Sequence, residues 1–199
     1  VRKENEIIII DDGSTDGSTE LLKSSKHIKI IVIEKNQGKG FAIRKGLKEA
    51  KYNKILIYDG DMELNINDIS KLMILNKSNN IHCVFGNRFK SLNPIKSGFD
   101  WGNFIFTSFF NIIFQSHHKD ILCCAKAFYL DDIGYYNLKS SGFDIDVELA
   151  SILTMKNKKF LISNILLKYE RRNKDQGKKL KISDGWIILY RIIETMRFL

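Results

Sequence analysis

Short apolar runs alternate with helix-like stretches through the first half of the chain. Ile7–Ile10 precedes Glu20–Ser24, Ile28–Ile33 precedes Phe41–Ala50, Ile55–Tyr58 precedes Asn67–Leu75, and His82–Phe85 closes the series. The runs are continuously apolar, which marks strands covered on both faces, and the repeated strand-helix order predicts parallel strands joined by right-handed crossovers. Ile43, Leu47 and Ala50 recur at helical spacing, and Asn67 stands as an N-cap before Ile69, Leu72 and Met73. The expected fold class is α/β: a doubly wound, mostly parallel sheet flanked by helices.

The second half is less regular. Lys90–Gly98 reads as a loop around Pro94, Trp101–Phe114 as an apolar helix, and Asp144–Lys156 as a helix burying Val147, Leu149, Ile152 and Leu153. Lys158–Ser163 and Ile165–Tyr169 read as two strands, followed by a basic loop, Arg171–Lys181, and a final helix from Asp184. No repeat or linker divides the chain, so residues 1–199 are expected to form one domain. The charged opening, residues 1–6, runs straight into a buried strand with no initiator Met, so the sequence reads as a fragment.

With 199 residues, 44% of them hydrophobic, the chain can bury a sizeable core, and disorder is excluded. The net charge of +9 points to anionic partners: nucleic acid, an anionic membrane surface or a phosphorylated substrate. Three cysteines, Cys83 and the adjacent Cys123 and Cys124, suit neither a disulfide framework nor zinc-ligand spacing, and a reducing cytosol is the simplest setting. No signal peptide opens the sequence, and the apolar stretch Phe104–Phe114 is too short to span a bilayer. His27, His82, His117 and His118 form no ligand pattern.

In open α/β sheets, ligands bind beyond the carboxyl ends of the strands. Three predicted strands end in polar motifs: Asp11-Asp12-Gly13-Ser14 after Ile10, Asp59-Gly60-Asp61-Met62-Glu63 after Tyr58, and Gly86-Asn87-Arg88 after Phe85. In an extended backbone Asp59, Asp61 and Glu63 would point the same way, a site for a hard divalent cation such as Mg²⁺ or Mn²⁺. The plainer alternative is an acidic turn after a strand, just as Asp-Gly-Ser is ordinary turn chemistry and Arg88 an ordinary loop residue. The three motifs on one sheet edge favour a common site.

Ile7-Ile-Ile-Ile-Asp-Asp-Gly-Ser-Thr-Asp-Gly, Glu34-Lys-Asn-Gln-Gly-Lys-Gly and Tyr58-Asp-Gly-Asp-Met-Glu resemble the nucleotide-sugar half of family 2 glycosyltransferases. Gly86-Asn-Arg-Phe, Asp120-Ile-Leu-Cys-Cys-Ala-Lys-Ala-Phe, Gly142-Phe-Asp-Ile-Asp-Val-Glu-Leu and the Tyr169-Glu-Arg-Arg segment with its following Gly-Lys-Lys resemble the branch holding dolichyl-phosphate mannose synthase and bacterial polyprenyl-phosphate sugar transferases. The resemblance covers nearly the whole chain. It implies a GT-A fold, with residues 1–90 as the nucleotide-sugar half and 91–199 as the acceptor half, and an inverting, metal-dependent transfer. Family members open with a further strand and a Pro-x-Tyr-Asn-Glu-like motif, which this sequence lacks.

The resemblance also implies roles. Asp11 or Asp12 would accept hydrogen bonds from the nucleoside; Asp59, Asp61 and Glu63 would hold Mg²⁺ or Mn²⁺ against the diphosphate; Gly60 would let the backbone approach the ligand. Glu63 stands where relatives often carry Gln. Arg88 would contact phosphate or sugar, with Lys126 a further positive group, and Arg171, Arg172, Lys178 and Lys179, hinged at Gly177, would close over the phosphates. Asp144, Asp146 and Glu148 sit where relatives place a general base, although acids at a helix N-terminus also complement its dipole.

The implied donor is a GDP or UDP sugar and the implied acceptor polyprenyl phosphate at the cytoplasmic face of a membrane. A saccharide hydroxyl is the rival acceptor, and a non-catalytic nucleotide- or membrane-binding module the rival class. The aromatic helix around Trp101, Phe104 and Phe109 would contribute partly to the core and partly to a membrane contact or a path for the lipid chain, held by a partner anchor or by basic charge. Nucleic acid is disfavoured, because the basic residues cluster beside the acidic motifs instead of alternating with exposed aromatics.

Overall fold

The protein is described by a computed structural model that covers residues 5–89, 98–134, 138–172 and 184–196. Strand β1 (Ile8–Asp12) pairs in parallel with β2 (Lys29–Ile33), across the helix α1 (Ser18–Lys23). Helix α2 (Lys39–Glu49) then leads to β3 (Lys54–Ile57). A short helix α3 (Ile69–Leu72), β4 (Ile81–Asn87), α4 (Gly98–Phe114), β5 (Lys126–Tyr129), α5 (Leu130–Ile133), α6 (Ile145–Lys156), β6 (Leu161–Leu166) and α7 (Asp184–Thr195) follow.

The four later strands form one sheet in the order β3-β5-β4-β6. Within it β5 runs antiparallel to both of its neighbours, while β4 and β6 are parallel, so β3, β4 and β6 share one direction. The expected α/β architecture is present, with a reversed strand inserted into it. Lys126–Tyr129 escapes the hydrophobic pattern because its fully buried Lys126 breaks the apolar run. The expected pair of strands after α6 is a single strand, β6. Residues beyond it cross instead to the β3 side, where Tyr169 bridges Leu64 and Asn65 N–H donates to the Lys168 carbonyl at 3.2 Å.

The expected helix over Asn67–Leu75 shrinks to a 3-10 turn and one turn of α-helix. Its cap is Asn65, whose side chain accepts from Asn67 N–H, two residues before the expected cap. Asp68 in that turn is buried, with Oδ2 accepting from Lys168 N–H at 2.6 Å and Oδ1 paired to Lys71 at 2.5 Å. The turn is thus spent on holding the segment after β6. The loop around Pro94, with Gly177, Lys178 and Lys179, lies outside the described residues.

One core lies between the larger sheet and α4, α6 and α7, built from Phe85, Phe110, Phe114, Phe128, Leu149 and Leu153. Helix α6 is buried all round from Ile145 to Thr154, wider than the single inward face expected of it. In α4, Asn103, Thr107, Phe110 and Phe114 are buried while Trp101, Phe104, Ile105 and Ile112 are exposed, so the aromatic helix divides between core and surface. All three cysteines are free thiols in the interior.

His118 is the least comfortable member of this core. Its ring lies 4.4 Å from that of Phe85, Nε2 pairs with Thr154 Oγ1 at 2.7 Å, and Nδ1 finds no partner. Burial, with Lys126 and His117 adding to it, pulls the imidazole down to about 4. A histidine held neutral in the fold contributes stability above its unfolded pKa, and that stability is lost as pH falls toward the folded value. Between pH 7 and pH 5 the protein is expected to lose about 2 kcal/mol from this group alone. Urea unfolding at the two pH values checks it: a His118→Gln variant with the same pH slope as the parent protein would remove His118 as the cause.

Candidate active site

The carboxyl end of β1 is bound into turns. Asp11 is buried, with Oδ1 accepting from Ser14 N–H at 3.0 Å and Oδ2 accepting from the Thr19 hydroxyl, and the hydrogen bonds from Ser14 and Thr19 hold its carboxyl below the usual range. Asp12 reaches the other way, accepting from Gln37 and Gly38 N–H groups at 2.8 Å each. It thereby satisfies an amide at the start of α2. Both aspartates fix the loops around the edge, with their oxygens already paired.

The acidic motif after β3 is not extended. Strand β3 ends at Ile57, and Met62 adopts a left-handed backbone, φ 63, so the alternation that would have aligned Asp59, Asp61 and Glu63 is broken. Among the described residues no three acidic, histidine or cysteine side chains converge as a metal cage. Asp59 Oδ2 instead meets Lys39 Nζ at 2.9 Å, and Asp61 Oδ2 meets Arg172 Nη2 at 2.7 Å. Glu63 lies 3.5 Å from Arg172 Nε and accepts from the Arg172 backbone N–H at 3.2 Å.

Two partly exposed carboxylates, each held by a side-chain cation, suit a metal of the magnesium type, which takes one or two carboxylates and completes its shell with phosphate and water. Asp59 and Asp61 fit that role, with exchange of their present partners. A Cβ on Gly60 would meet nothing within 4 Å, so the bend between them is open on its outer side.

The same lysine ties this motif to α6. Lys39 Nζ lies 2.8 Å from Asp146 Oδ2, and Lys126 Nζ lies 3.6 Å from Asp146 Oδ1. Burial pulls the Lys39 ammonium down, but Asp146 and Asp59 outweigh it and hold the group well above the ordinary lysine range. Lys126 is fully buried, and its ammonium also donates to the carbonyls of Ile121, at 3.2 Å, and Cys123. It is an interior counter-ion of Asp146.

Asp144 and Asp146 separate sharply. Asp144 is buried against α7, where Arg191 Nε and Nη2 bind its Oδ2 at 2.8 and 2.7 Å. Glu148 accepts from the Lys139 and Ser140 N–H groups, with contacts of 2.8 to 3.1 Å. Asp146 alone of the three joins the charged edge. Arg88 is also committed: Nε and Nη2 donate to Asp120 at 2.7 and 2.9 Å, and its guanidinium stands 5.5 Å from the Tyr169 ring. Burial pulls that guanidinium down, and Asp120 more than restores it.

The basic segment enters beside the acids. Glu170 N–H donates to the Glu63 carbonyl at 2.9 Å, next to the Leu64–Tyr169 bridge, and Arg171 Nε donates to the Tyr169 hydroxyl at 3.2 Å. The edge thus gathers Lys39, Asp59, Asp61, Glu63, Asp146 and Arg172, with Arg88 and Asp120 alongside. Lys39, Asp120 and Arg191 were given no role from the sequence. Lys39 carried a signal: a cation in the first turn of a helix opposes the dipole.

The architecture defines the class. The solved structure of glucosyl-3-phosphoglycerate synthase from Mycobacterium tuberculosis with Mn²⁺, uridine diphosphate and glucosyl-3-phosphoglycerate superposes with a TM-score of 0.69 over 97% of this chain and 69% of that one, at 13% identity. The fold is that of the GT-A glycosyltransferases. The glycosyl transferase family 2 profile matches residues 2–133, and the chain belongs to that family. Glycosyltransferase AglJ of Haloferax volcanii is 31% identical over 150 residues, 72% of this chain and 48% of AglJ, so the chain spans about half the length of that relative. Human dolichyl-phosphate beta-glucosyltransferase is 36% identical over 73 residues, 34% of this chain and 22% of that protein.

The contrast between the two α6 aspartates yields a test. Asp144→Ala removes two charge-assisted hydrogen bonds from the Arg191 guanidinium, which keeps Glu194, and is expected to cost about 2 kcal/mol in urea unfolding. An unchanged midpoint would show that the pair carries no structural load.

Proposed function

We propose that this domain transfers a hexose, with inversion, from a nucleotide-diphosphate sugar to polyprenyl phosphate, using a divalent cation. The observation that carries the reading is the Lys39–Asp59 and Arg172–Asp61 pairing at the open end of the sheet. Carboxylates for a cation and cations for a diphosphate stand in mutual contact, ready to exchange partners when the ligand enters. Asp59 and Asp61 would hold Mg²⁺ or Mn²⁺, which supplies positive charge beside the departing nucleoside diphosphate. Arg172, released from Asp61, turns its donor fork to phosphate, and Arg171 adds a second guanidinium next to it in the chain. Asp11 and Asp12 shape the nucleoside side. The bound Mn²⁺ and uridine diphosphate named for the mycobacterial synthase support the donor half of this reading.

The acceptor half rests on charge, on a partial relative and on surface. The human relative is named for dolichyl phosphate. Helix α7 exposes Trp186, Ile187, Tyr190 and Ile193, and α4 exposes Trp101, Ile105 and Ile112. Aromatic and aliphatic side chains beside a basic segment suit peripheral contact with the cytoplasmic face of an anionic membrane. Among the described residues no helix is long and apolar enough to cross one. A saccharide hydroxyl is the second reading, favoured by Asp146, which reaches the charged edge through Lys39 and keeps one oxygen, Oδ1, free of hydrogen bonds as a general base needs.

Thermal unfolding with GDP-mannose, UDP-glucose and UDP-GlcNAc, each with and without Mn²⁺, tests the donor. One donor is expected to stabilise by about 2.7 kcal/mol at roughly 100 times its Kd, only with the metal, and Asp61→Ala to abolish this while unfolding cooperatively. No metal-dependent stabilisation by any donor would sink the enzyme reading. Radiolabelled donor offered to vesicles containing polyprenyl phosphate should then put label in the organic phase; label entering only a saccharide, and lost in Asp146→Asn, would replace the lipid acceptor with a hydroxyl.

A further inference from the structure

Lys39 stands where a helix disfavours a cation, and the backbone around it is built to keep it there. It opens α2, facing the positive end of the macrodipole. Gly38 has φ 96, and Cβ atoms on Gly38 and Gly40 would fall 2.4 Å from the Ser141 carbonyl oxygen and 2.2 Å from that of Ser140. Gly40 N–H donates to the Ser141 carbonyl at 2.8 Å, while Asp12 takes the Gly38 amide. Only glycine allows this approach, which presses the start of α2 onto the segment leading into α6. The ammonium between those glycines touches carboxylates from two elements, Asp59 at 2.9 Å and Asp146 at 2.8 Å.

A divalent cation at Asp59 meets an unfavourable field while Lys39 is in place. Lys39 and Arg172 already occupy oxygens of Asp59 and Asp61, so a cation arriving alone must displace an ion pair or bind close beside an ammonium or guanidinium. A diphosphate changes the balance, because its oxygens can take the ammonium that Asp59 gives up. We propose that Lys39 is a built-in competitor for the divalent cation: it occupies Asp59 until cation and diphosphate arrive together, and so makes binding of each depend on the other. The inference rests on Asp59 being a cation ligand as read above. Lys39 acts here as a positioning residue. Its second bond, to Asp146, keeps the ammonium beside the edge during the exchange.

The test is a titration of Mn²⁺ into the protein, followed by calorimetry or by loss of the free-ion paramagnetic resonance signal, with and without UDP or GDP. The wild-type chain should bind Mn²⁺ weakly alone and more tightly with one nucleotide. Lys39→Met should bind Mn²⁺ alone roughly fivefold more tightly, the change expected when one competing ion pair is removed, and the enhancement by nucleotide should shrink by a similar factor. Lys39→Gln is measured in parallel, and either variant that unfolds cooperatively carries the test. Wild-type binding that is enhanced by nucleotide while both variants leave it unchanged or weaker overturns the competitor role but leaves the metal reading standing. Absence of Mn²⁺ binding to the wild-type chain with either nucleotide overturns both. Failure of both variants to fold overturns the proposal too, since it makes the lysine a structural counter-ion.

Discussion

Carboxylates gathered at a partly dry sheet edge must be neutralised, and that requirement organises this molecule. Asp59, Asp61, Glu63 and Asp146 come from a loop after β3 and from α6, and they are held by Lys39, Lys126 and Arg172 from three further segments. Removing Lys39 takes the cation from Asp59 and the nearer of two from Asp146, and removing Arg172 takes it from both Asp61 and Glu63. The ion pairs therefore fix where α2, α6 and the segment after β6 stand relative to β3. They are arranged as two separate links, Lys126–Asp146–Lys39–Asp59 and Asp61–Arg172–Glu63, with the open bend at Gly60 between them.

Neutral devices hold the charges in register. The Leu64–Tyr169 bridge and the Asp68 contact to Lys168 strap the basic segment to the acidic one before any side-chain charge is counted. The Arg88–Asp120 fork lies beside that strap, under the Tyr169 ring, and Asn103 adds a hydrogen bond to Asp120 at 3.0 Å. Packing extends this rigidity inward, since α6 is buried along nearly its whole length and cannot shift without disturbing the core. Mobility for ligand exchange is thereby left to long, partly exposed side chains such as Arg172.

The strands of the first half were legible because each is built on a short apolar run, whereas the pairing of β1 and β2 as a sheet of their own was not. What escaped the pattern was decided by tertiary contact. Strand β5 carries a buried lysine that periodicity counts as polar, yet Asp146 and two carbonyls satisfy it. The helix expected after Asn67 stops after one turn because its residues serve Asn65 and Asp68 in tying down Lys168. The acids after β3 are plain in the sequence, but the common direction expected of them depended on an extended backbone that Met62 breaks. Arg88 and Lys126 look like free cations in a sequence. In the fold both are matched to interior acceptors, and no spacing rule reveals a partner such as Asp120.

The division of labour within Asp144-Ile145-Asp146-Val147-Glu148 follows from helix geometry. Residues two apart on an α-helix lie about 200° around the axis from one another, whereas residues four apart lie within about 40°. Asp144 and Glu148 therefore share a side, and both serve structure: one clamps Arg191, the other binds the amides of Lys139 and Ser140. Asp146 is turned to the opposite side, which is the charged edge. There it carries one ammonium at 2.8 Å and another at 3.6 Å. Its Oδ2 is held in the ion pair with Lys39, whereas Oδ1 makes no hydrogen bond and has only the more distant Lys126 beside it. The same pair of lysines neutralises Asp146, so the charge that α6 brings to this edge is balanced from α2 and β5 before any ligand enters.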